Sequence, residues 1–175
     1  VTGTADGLFV LPGTHSKWIM VENGAISSFQ TYMTGEVYAT LKAHSILGRL
    51  MSDQDRSAGG IGDGFRRGLD VIARHGGGPG GLLNRIFTTR TLGLFNELAA
   101  DDMADYLSGL LIGAEVVEAG VSDAAISIIA NHALAQRYAQ ACHVFGLACR
   151  TVGQDCVVAG QHAIAVARDL VRETA

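Results

Sequence analysis

Proline, charge and long apolar runs are what this sequence has least of. Its 175 residues include two prolines, 17% are charged, and the formal net charge is −4. Without a basic excess there is no electrostatic case for binding nucleic acid or an anionic membrane surface. No run approaches the ~18 apolar residues that indicate a membrane-spanning helix. We therefore predict neither a nucleic-acid partner nor a membrane partner.

Cysteine is also scarce, and its spacing argues against a disulfide framework or a metal site. The chain has three cysteines, Cys142, Cys149 and Cys156, each seven residues from the next. They form no Cys-x-x-Cys pair, and no cluster of His and Cys has the spacing of metal ligands. We predict small buried thiols in a reducing compartment, and hence a cytoplasmic protein without a metal bound by cysteine or histidine.

What the sequence does contain is apolar residues and glycine. Apolar residues make up 48% of the chain, and 23 residues are glycine. This composition excludes intrinsic disorder. The length favours one domain, which on folding buries about 70% of the surface of the unfolded chain.

The order of apolar segments predicts an α/β domain of the type βββαβαβα with a helical insertion at about residues 52–100. Strands are expected at 8–11, 18–22, 25–32, 125–130 and 147–152. Helices are expected at about 36–51, 65–75, 82–98, 101–119, 132–145 and 155–173. The helix at 82–98 is expected to be either continuous or broken near Gly93. Asn23-Gly24 is a strong hairpin signal. The alternation of strand and helix in the last third predicts a parallel pair of strands with right-handed crossovers.

A short polar loop between the first two apolar runs is the first candidate site. It presents backbone N–H groups, two hydroxyls and an ammonium group, which together suit a phosphate. A glycine lets the backbone approach a phosphate closely. An ordinary hairpin turn explains the same residues. The candidate phosphate-binding residues are Gly13, Thr14, His15, Ser16 and Lys17.

Three further residues are candidates for binding a substrate. Thr34 and Glu36 lie at a strand-to-helix junction, where a helix N-terminus favours an anion. Thr34 as an N-cap with Glu36 in the first turn explains the junction equally well. Arg90 stands in an otherwise uncharged stretch, and its guanidinium can bind a carboxylate with two parallel hydrogen bonds. A salt bridge from Arg90 to the acidic run at 101–102, or simple exposure, is the alternative.

Small residues share one face of the helix predicted at 101–119. Gly109 and Gly113 are four residues apart, with Ser108 directly before Gly109, which places them close together on that helix. A glycine inside a helix costs ~1 kcal/mol relative to alanine, so another group is expected to approach closely. That group is either a neighbouring helix or a nucleotide.

Four segments together resemble the 2-dehydro-3-deoxygalactonokinase family, and they occur in the expected order. They read LPGTHSKW at 11–18, MTGEVYATLKAHSIL at 33–47, FTTRTLGL at 87–94 and YLSGLLIGAE at 106–115. The resemblance implies an actin/hexokinase-like (ribonuclease H-like) fold and a role in galactonate catabolism. It also implies phosphorylation of 2-dehydro-3-deoxy-D-galactonate at its 6-hydroxyl, with ATP and Mg²⁺ as cofactors.

The same resemblance implies that the chain is one half of a kinase. Family members begin with another domain, which carries an Asp-x-Gly-Thr-Thr-type phosphate loop and a Met-Arg-Gly-Glu-Glu-type segment; neither occurs here. Residues 1–175 are therefore expected to be the second, nucleotide-binding domain. The catalytic base is expected on the first domain, which is then the chain's partner, and the Mg²⁺ ligands are left unassigned.

The resemblance also suggests that Ser108, Gly109, Gly113 and Asn131 lie near the nucleotide. Asn131 stands where related kinases have a glycine-rich turn against the adenosine, so this chain departs from that pattern. A non-catalytic binding or assembly domain derived from a kinase, and a sugar kinase with another substrate, remain alternatives. A homo-oligomer is also open.

Overall fold

The computed structural model describes residues 6–52, 61–75, 79–121 and 124–171. Five strands form one mixed sheet in the order β3-β2-β1-β4-β5. The strands are β1 (Gly7–Leu11), β2 (Ser16–Glu22), β3 (Ala25–Tyr32), β4 (Ile126–Ile129) and β5 (Cys149–Val152). The helices are α1 (Thr34–His44), α2 (Asp63–His75), α3 (Gly81–Leu94), α4 (Ala100–Glu118), α5 (His132–Val144) and α6 (Asp155–Ala167), with a 3₁₀ turn at Gly48–Leu50. The predicted α/β class is confirmed.

The sheet combines an antiparallel hairpin series with a parallel pair. β1, β2 and β3 are antiparallel neighbours, whereas β4 pairs parallel to β1 and β5 pairs parallel to β4. Asn23 and Gly24 both have positive φ, 54° and 73°, which matches the right-handed twist of the strands that they join. The predicted hairpin and the predicted parallel pair are both confirmed.

Helix α4 is the centre of the core. Most of its residues from Met103 to Val116 are buried. One side of it packs with alternate residues of β1 and β4, because successive side chains of a strand point to opposite faces. Its other side packs with α2 and α3, so the predicted insertion at 52–100 contributes helices to the core. The insertion's status as a separate unit stays a prediction.

Helices α2 and α4 touch through their backbones at two glycines. A Cβ on Gly109 would overlap the carbonyl oxygen of Phe65, and one on Gly68 would overlap the carbonyl oxygen of Tyr106. The close approach predicted at Gly109 is therefore confirmed, and the group that approaches is a helix. Gly113 also faces α2, where a Cβ would lie 3.3 Å from side-chain atoms of Ile72.

Two predictions at the ends of α1 are wrong. Thr34 is not an N-cap: Met33 holds that position, and no side chain caps the helix. The helix ends at His44 rather than Met51. Ser45 ends it, since its hydroxyl donates to the carbonyl of Leu41 (2.6 Å) and accepts from the N–H of residue 47 (3.1 Å). A side chain that bonds the local backbone competes with the helical hydrogen bonds.

Two other helices are shorter than predicted. α3 ends at Leu94 rather than Leu98, which agrees with the alternative of a break near Gly93, and Asn96 has a φ of 57°. α6 ends at Ala167, and Asp169 has a φ of 55°. A left-handed residue cannot continue a right-handed helix. Residues 53–60 and 76–78 of the predicted insertion, and the end of the predicted last helix, lie outside the described residues.

The predicted burial of the thiols is correct for one of the three cysteines. Cys142 is fully buried and burial raises its pKa to about 12. Cys149 and Cys156 are half-buried, and all three are free thiols.

Candidate functional site

Three parts of the chain enclose a cavity of about 280 Å³. They are the loop between β1 and β2 together with the first turns of α1, the middle of α4, and the start of α5. Residues that line it include Gly13, Thr34, Lys42, Ser108, Asn131 and Tyr138. Four residues singled out from the sequence, Gly13, Thr34, Ser108 and Asn131, therefore lie around one space. The volume is close to the lower limit of ~300 Å³ for sites that bind small molecules.

The loop between β1 and β2 is fixed against the first turn of α1. The backbone N–H of Glu36 donates to the carbonyl oxygen of Thr14 at 3.0 Å. His15 Nε2 lies 2.5 Å from Glu36 Oε2. Gly35 packs so closely that a Cβ there would lie 2.9 Å from the Cα of Thr14. The loop and the helix N-terminus thus form a single wall of the cavity.

A second helix N-terminus also lines the cavity. Asn131 is the N-cap of α5, and its side-chain oxygen accepts from the N–H of Leu134 at 2.9 Å. Residues 133 and 134 line the cavity beside it. A helix N-terminus carries free N–H groups and a partial positive charge. Two such ends at one cavity favour an anionic ligand.

Behind the loop lies a buried hydrogen-bond network centred on Glu115. The indole N–H of Trp18 donates to Glu115 Oε1 and the hydroxyl of Tyr138 donates to Oε2, both at 2.8 Å. The Ser16 hydroxyl lies 2.8 Å from that of Tyr138. Burial raises the pKa of Glu115, and hydrogen bonds from Thr34, Trp18 and Tyr138 oppose that rise. Burial and the nearby Glu115 also raise the pKa of Tyr138.

A buried ion pair supports another wall of the cavity. Arg137 donates to Asp105 Oδ1 at 2.6 Å and to the Ser108 hydroxyl at 3.3 Å. Its guanidinium lies 5.0 Å from the centroid of the Phe65 ring, within reach of a cation–π contact. The pair holds Ser108 in place at the cavity surface.

Sequence reasoning missed Tyr38, Lys42 and Arg137, which all line the cavity. The ammonium of Lys42 lies 6.0 Å from the centroid of the Tyr38 ring. Tyr38 and Lys42 follow Thr34 at intervals of four residues, which puts all three on one face of α1. The spacing of four residues could have indicated Tyr38 and Lys42 from the sequence. No local pattern indicated Arg137, which lies far along the chain from α1.

Several other predicted site residues lie outside the set that lines this cavity. Thr14 and His15 on the loop and Lys17 on β2 are exposed, and the Lys17 ammonium donates to the His15 carbonyl at 3.3 Å. Ser16 is fully buried. Arg90 lies on α3 and donates to the carbonyl of Ile46 at 3.1 Å. The roles first assigned to them stay predictions.

Gly109 and Gly113 face α2, as described above, and are not among the lining residues. Their proximity to a nucleotide also stays a prediction.

The described ranges contain no group of three or more His, Cys, Asp or Glu residues that could hold a metal ion. Over the same ranges, none of the helices is long and apolar enough to cross a membrane.

Comparison with known proteins gives one consistent result. The sequence model of the family described as 2-keto-3-deoxy-galactonokinase matches residues 1–164. The 2-dehydro-3-deoxygalactonokinase of Escherichia coli (strain K12) is 34% identical over 166 residues, which cover 90% of this chain and 54% of that protein. A protein of Rhizobium meliloti (strain 1021), given the same name as a provisional assignment, is 34% identical over 117 residues, or 67% of this chain and 37% of its own length.

A solved structure agrees with the two sequence relatives. A crystal structure from Sinorhizobium meliloti, also provisionally described as a 2-dehydro-3-deoxygalactonokinase, matches with a TM-score of 0.81 and 31% identity. The match covers 94% of this chain and 55% of that one. This chain therefore spans about half the length, or less, of the relatives that it matches.

Proposed function

Because the chain belongs to the 2-keto-3-deoxy-galactonokinase family, we propose that it is the nucleotide-binding half of an ATP-dependent sugar-acid kinase. The proposed reaction is phosphorylation of 2-dehydro-3-deoxy-D-galactonate to its 6-phosphate. The observation that carries the proposal is that the Gly13 loop and the N-termini of α1 and α5 line the same cavity. We propose an actin/hexokinase-like fold as well, supported by the strand order β3-β2-β1-β4-β5 with β4 and β5 parallel.

The cavity wall fits the phosphates of a nucleotide. No atom lies within 4 Å of the position that a Cβ would take on Gly13, so the backbone there is open to a ligand. The N–H groups at the two helix N-termini favour negative charge. Lys42 adds a compact positive charge to the same cavity. Phosphoryl transfer depends mainly on such positioning and charge neutralisation.

Mg²⁺ is proposed as the second cofactor, held chiefly by the phosphate oxygens of ATP. Bound there, it neutralises charge on the transferred phosphoryl group. Mg²⁺ in such sites typically uses one or two carboxylates together with substrate phosphates and water. The absence of a three-residue ligand cluster in the described ranges is compatible with that arrangement.

The catalytic base is proposed to lie on a second domain of the kinase, whereas residues of this chain stay candidates for binding the sugar acid. Thr34 borders the cavity, and Glu36 lies in the first turn of α1 beside His15. Arg90 remains the candidate for the sugar-acid carboxylate. Closure of the second domain would exclude water, which favours transfer of the phosphoryl group to the sugar acid over hydrolysis of ATP.

The experiment is a coupled assay of ADP release with ATP, Mg²⁺ and 2-dehydro-3-deoxy-D-galactonate. It compares the 175-residue chain with a protein in which a family first domain precedes it. We expect turnover from the two-domain protein and none from the chain alone. Robust turnover by the chain alone contradicts the half-enzyme proposal. Turnover by the two-domain protein with neutral sugars or with the gluconate epimer, but not with the galactonate compound, contradicts the proposed substrate.

A further inference from the structure

We infer that Glu115 is a positioning residue that holds the loop between β1 and β2 in the shape that receives the nucleotide phosphates. The inference rests on the proposed function, since it assigns the loop to the nucleotide. Glu115 does not line the cavity. It acts through two hydrogen-bonded connections, the two arms, which join its carboxylate to Trp18 and, through Tyr138, to Ser16.

The two arms end at Ser16 and Trp18, which lie two residues apart on β2. The first arm is the direct hydrogen bond from Trp18 to Glu115 Oε1. The second runs from Ser16 through the hydroxyl of Tyr138 to Glu115 Oε2, with both steps at 2.8 Å. Ser16 is the first residue of β2 and directly follows the exposed part of the loop. α4, which carries Glu115, and α5, which carries Tyr138, thus fix the point where the loop enters the sheet.

The protonation state of Glu115 sets the direction of the second arm. When Glu115 is ionised its carboxylate only accepts hydrogen bonds, and the Tyr138 hydroxyl donates to it. The Tyr138 oxygen is then left to accept, and Ser16 donates to it. The Ser16 proton therefore points into the domain. We assign Ser16 to anchoring the loop and leave the phosphate to the backbone around Gly13.

Burial argues that the carboxylate has a specific role beyond packing. Glu115 is 3% exposed, and it accepts hydrogen bonds from the indole of Trp18 and from the hydroxyls of Tyr138 and Thr34. An apolar residue of similar volume avoids the cost of burying a polar group. Two of the partners, Tyr138 and Thr34, themselves line the cavity. The carboxylate thus links the loop, α1 and α5 at the one place where all three border the proposed site.

The test uses three variants in the two-domain kinase: Glu115→Gln, Tyr138→Phe and the double variant. Glutamine keeps the shape, but its amide can donate to Tyr138 and so reverse the second arm. Phenylalanine removes the middle of that arm. The matched control is Tyr106→Phe, because Tyr106 is equally buried and its hydroxyl bonds Thr88 at 2.8 Å, away from the loop.

Two readouts separate the inference from the proposed function. Hydrogen exchange in the peptide covering residues 12–18 reports on the loop without any nucleotide. The KM for ATP, compared with kcat, reports on whether the loop binds the nucleotide. We expect faster exchange in this peptide and a rise of about tenfold in the KM for ATP for both single variants. Changes in kcat are expected to be smaller, and Tyr106→Phe should change neither readout. The double variant should be little worse than either single one, because both cut the same chain of hydrogen bonds.

Unchanged exchange in the 12–18 peptide of both single variants overturns the inference, whatever happens to ATP. Exchange in the 12–18 peptide of Tyr106→Phe that is as fast as in the two single variants also overturns it. The loop would then loosen whenever any buried hydroxyl is lost. Faster exchange with an unchanged KM for ATP overturns the assignment of the loop to the nucleotide. If the unmodified kinase fails to use ATP, the proposed function fails, while the exchange result still decides whether Glu115 holds the loop.

Discussion

Gly35 packs against Gly13 so closely that a Cβ on Gly35 would overlap the Gly13 carbonyl oxygen. The first turn of α1 and the loop between β1 and β2 therefore share one backbone contact surface. Gly13 itself is open on its cavity side. The two glycines thus have different roles, one in packing and one facing the proposed ligand, and mutations should separate them.

Gly13→Val should impair phosphoryl transfer without unfolding the domain. The Cβ position is open and the φ of Gly13 is not in the left-handed region, so the side chain fits the free domain but would hold the phosphates off. We expect kcat/KM to fall about 100-fold or more, as when a transition-state hydrogen-bond donor is lost. Steady-state kinetics and thermal unfolding test this, with Gly160→Val as a control at another open glycine. Near-normal kinetics in a folded variant would assign the loop to an ordinary hairpin.

Gly35→Ala should destabilise the domain. Alanine favours the helix by ~1 kcal/mol over glycine. Its Cβ, however, would meet the backbone of Gly13 and Thr14, and overpacking against rigid atoms costs about 1–3 kcal/mol. The clash should win, giving a lower urea midpoint with an unchanged slope. A variant more stable than the parent would show that the loop moves freely away from α1.

Arg90→Lys should raise the KM for the sugar acid and leave the KM for ATP nearly unchanged. Lysine keeps the charge but loses the paired hydrogen bonds of the guanidinium. A charge-assisted hydrogen bond contributes ~1.5–3 kcal/mol, so we expect a rise of roughly ten- to a hundredfold. If only stability changes, Arg90 serves through its hydrogen bond to Ile46. Equal effects on both substrates would indicate altered domain closure.

Asp105→Ala should be among the most destabilising single changes. It leaves the guanidinium of Arg137, only 9% exposed, without its carboxylate partner. Breaking a buried pair from one side costs about 3–5 kcal/mol. Asp70→Ala is the control, because Asp70 and its partner Arg74 are both well exposed and such pairs contribute at most ~1 kcal/mol. Equal losses of unfolding free energy in the two variants would contradict the importance of the buried pair.

The stability difference between the parent and Glu115→Gln should depend on pH. Burial raises the pKa of Glu115 in the folded state above its ordinary value of 4.5. A carboxyl with a raised pKa contributes stability below pH 4.5 that is lost as the pH rises through the folded-state pKa.

We therefore expect the parent to lose stability relative to Glu115→Gln as the pH rises from 4.5, by at most ~1.4 kcal/mol per unit. Tyr32 and Tyr138, the ionisable neighbours, have raised pKa values and stay neutral there. Urea unfolding from pH 4.5 to 7.5 measures the difference. A flat profile for Glu115→Gln would contradict the raised pKa.

Local patterns predicted much of the fold but not the C-terminal ends of α1, α3 and α6. Asn23-Gly24 marked the hairpin because its two residues tolerate positive φ. The end of α1 was missed because Ser45 bonds the backbone of Leu41 and Leu47, an effect that hydrophobic spacing does not report. Thr34 was wrongly predicted to be the N-cap of α1. Its side chain instead hydrogen-bonds Glu115, which lies on another helix.

The sequence by itself determined the order and type of the elements, the family, and four of the residues around the cavity. Periodicity and turn chemistry act over a few neighbouring residues, so they can be read along the chain. Only the tertiary structure decided that Ser16 meets Tyr138 and that Trp18 meets Glu115, at separations of 122 and 97 residues. It also brought Lys42 and Arg137 to the cavity. Such contacts depend on how α4 and α5 pack against the sheet, and packing places polar groups together without leaving a local signal in the sequence.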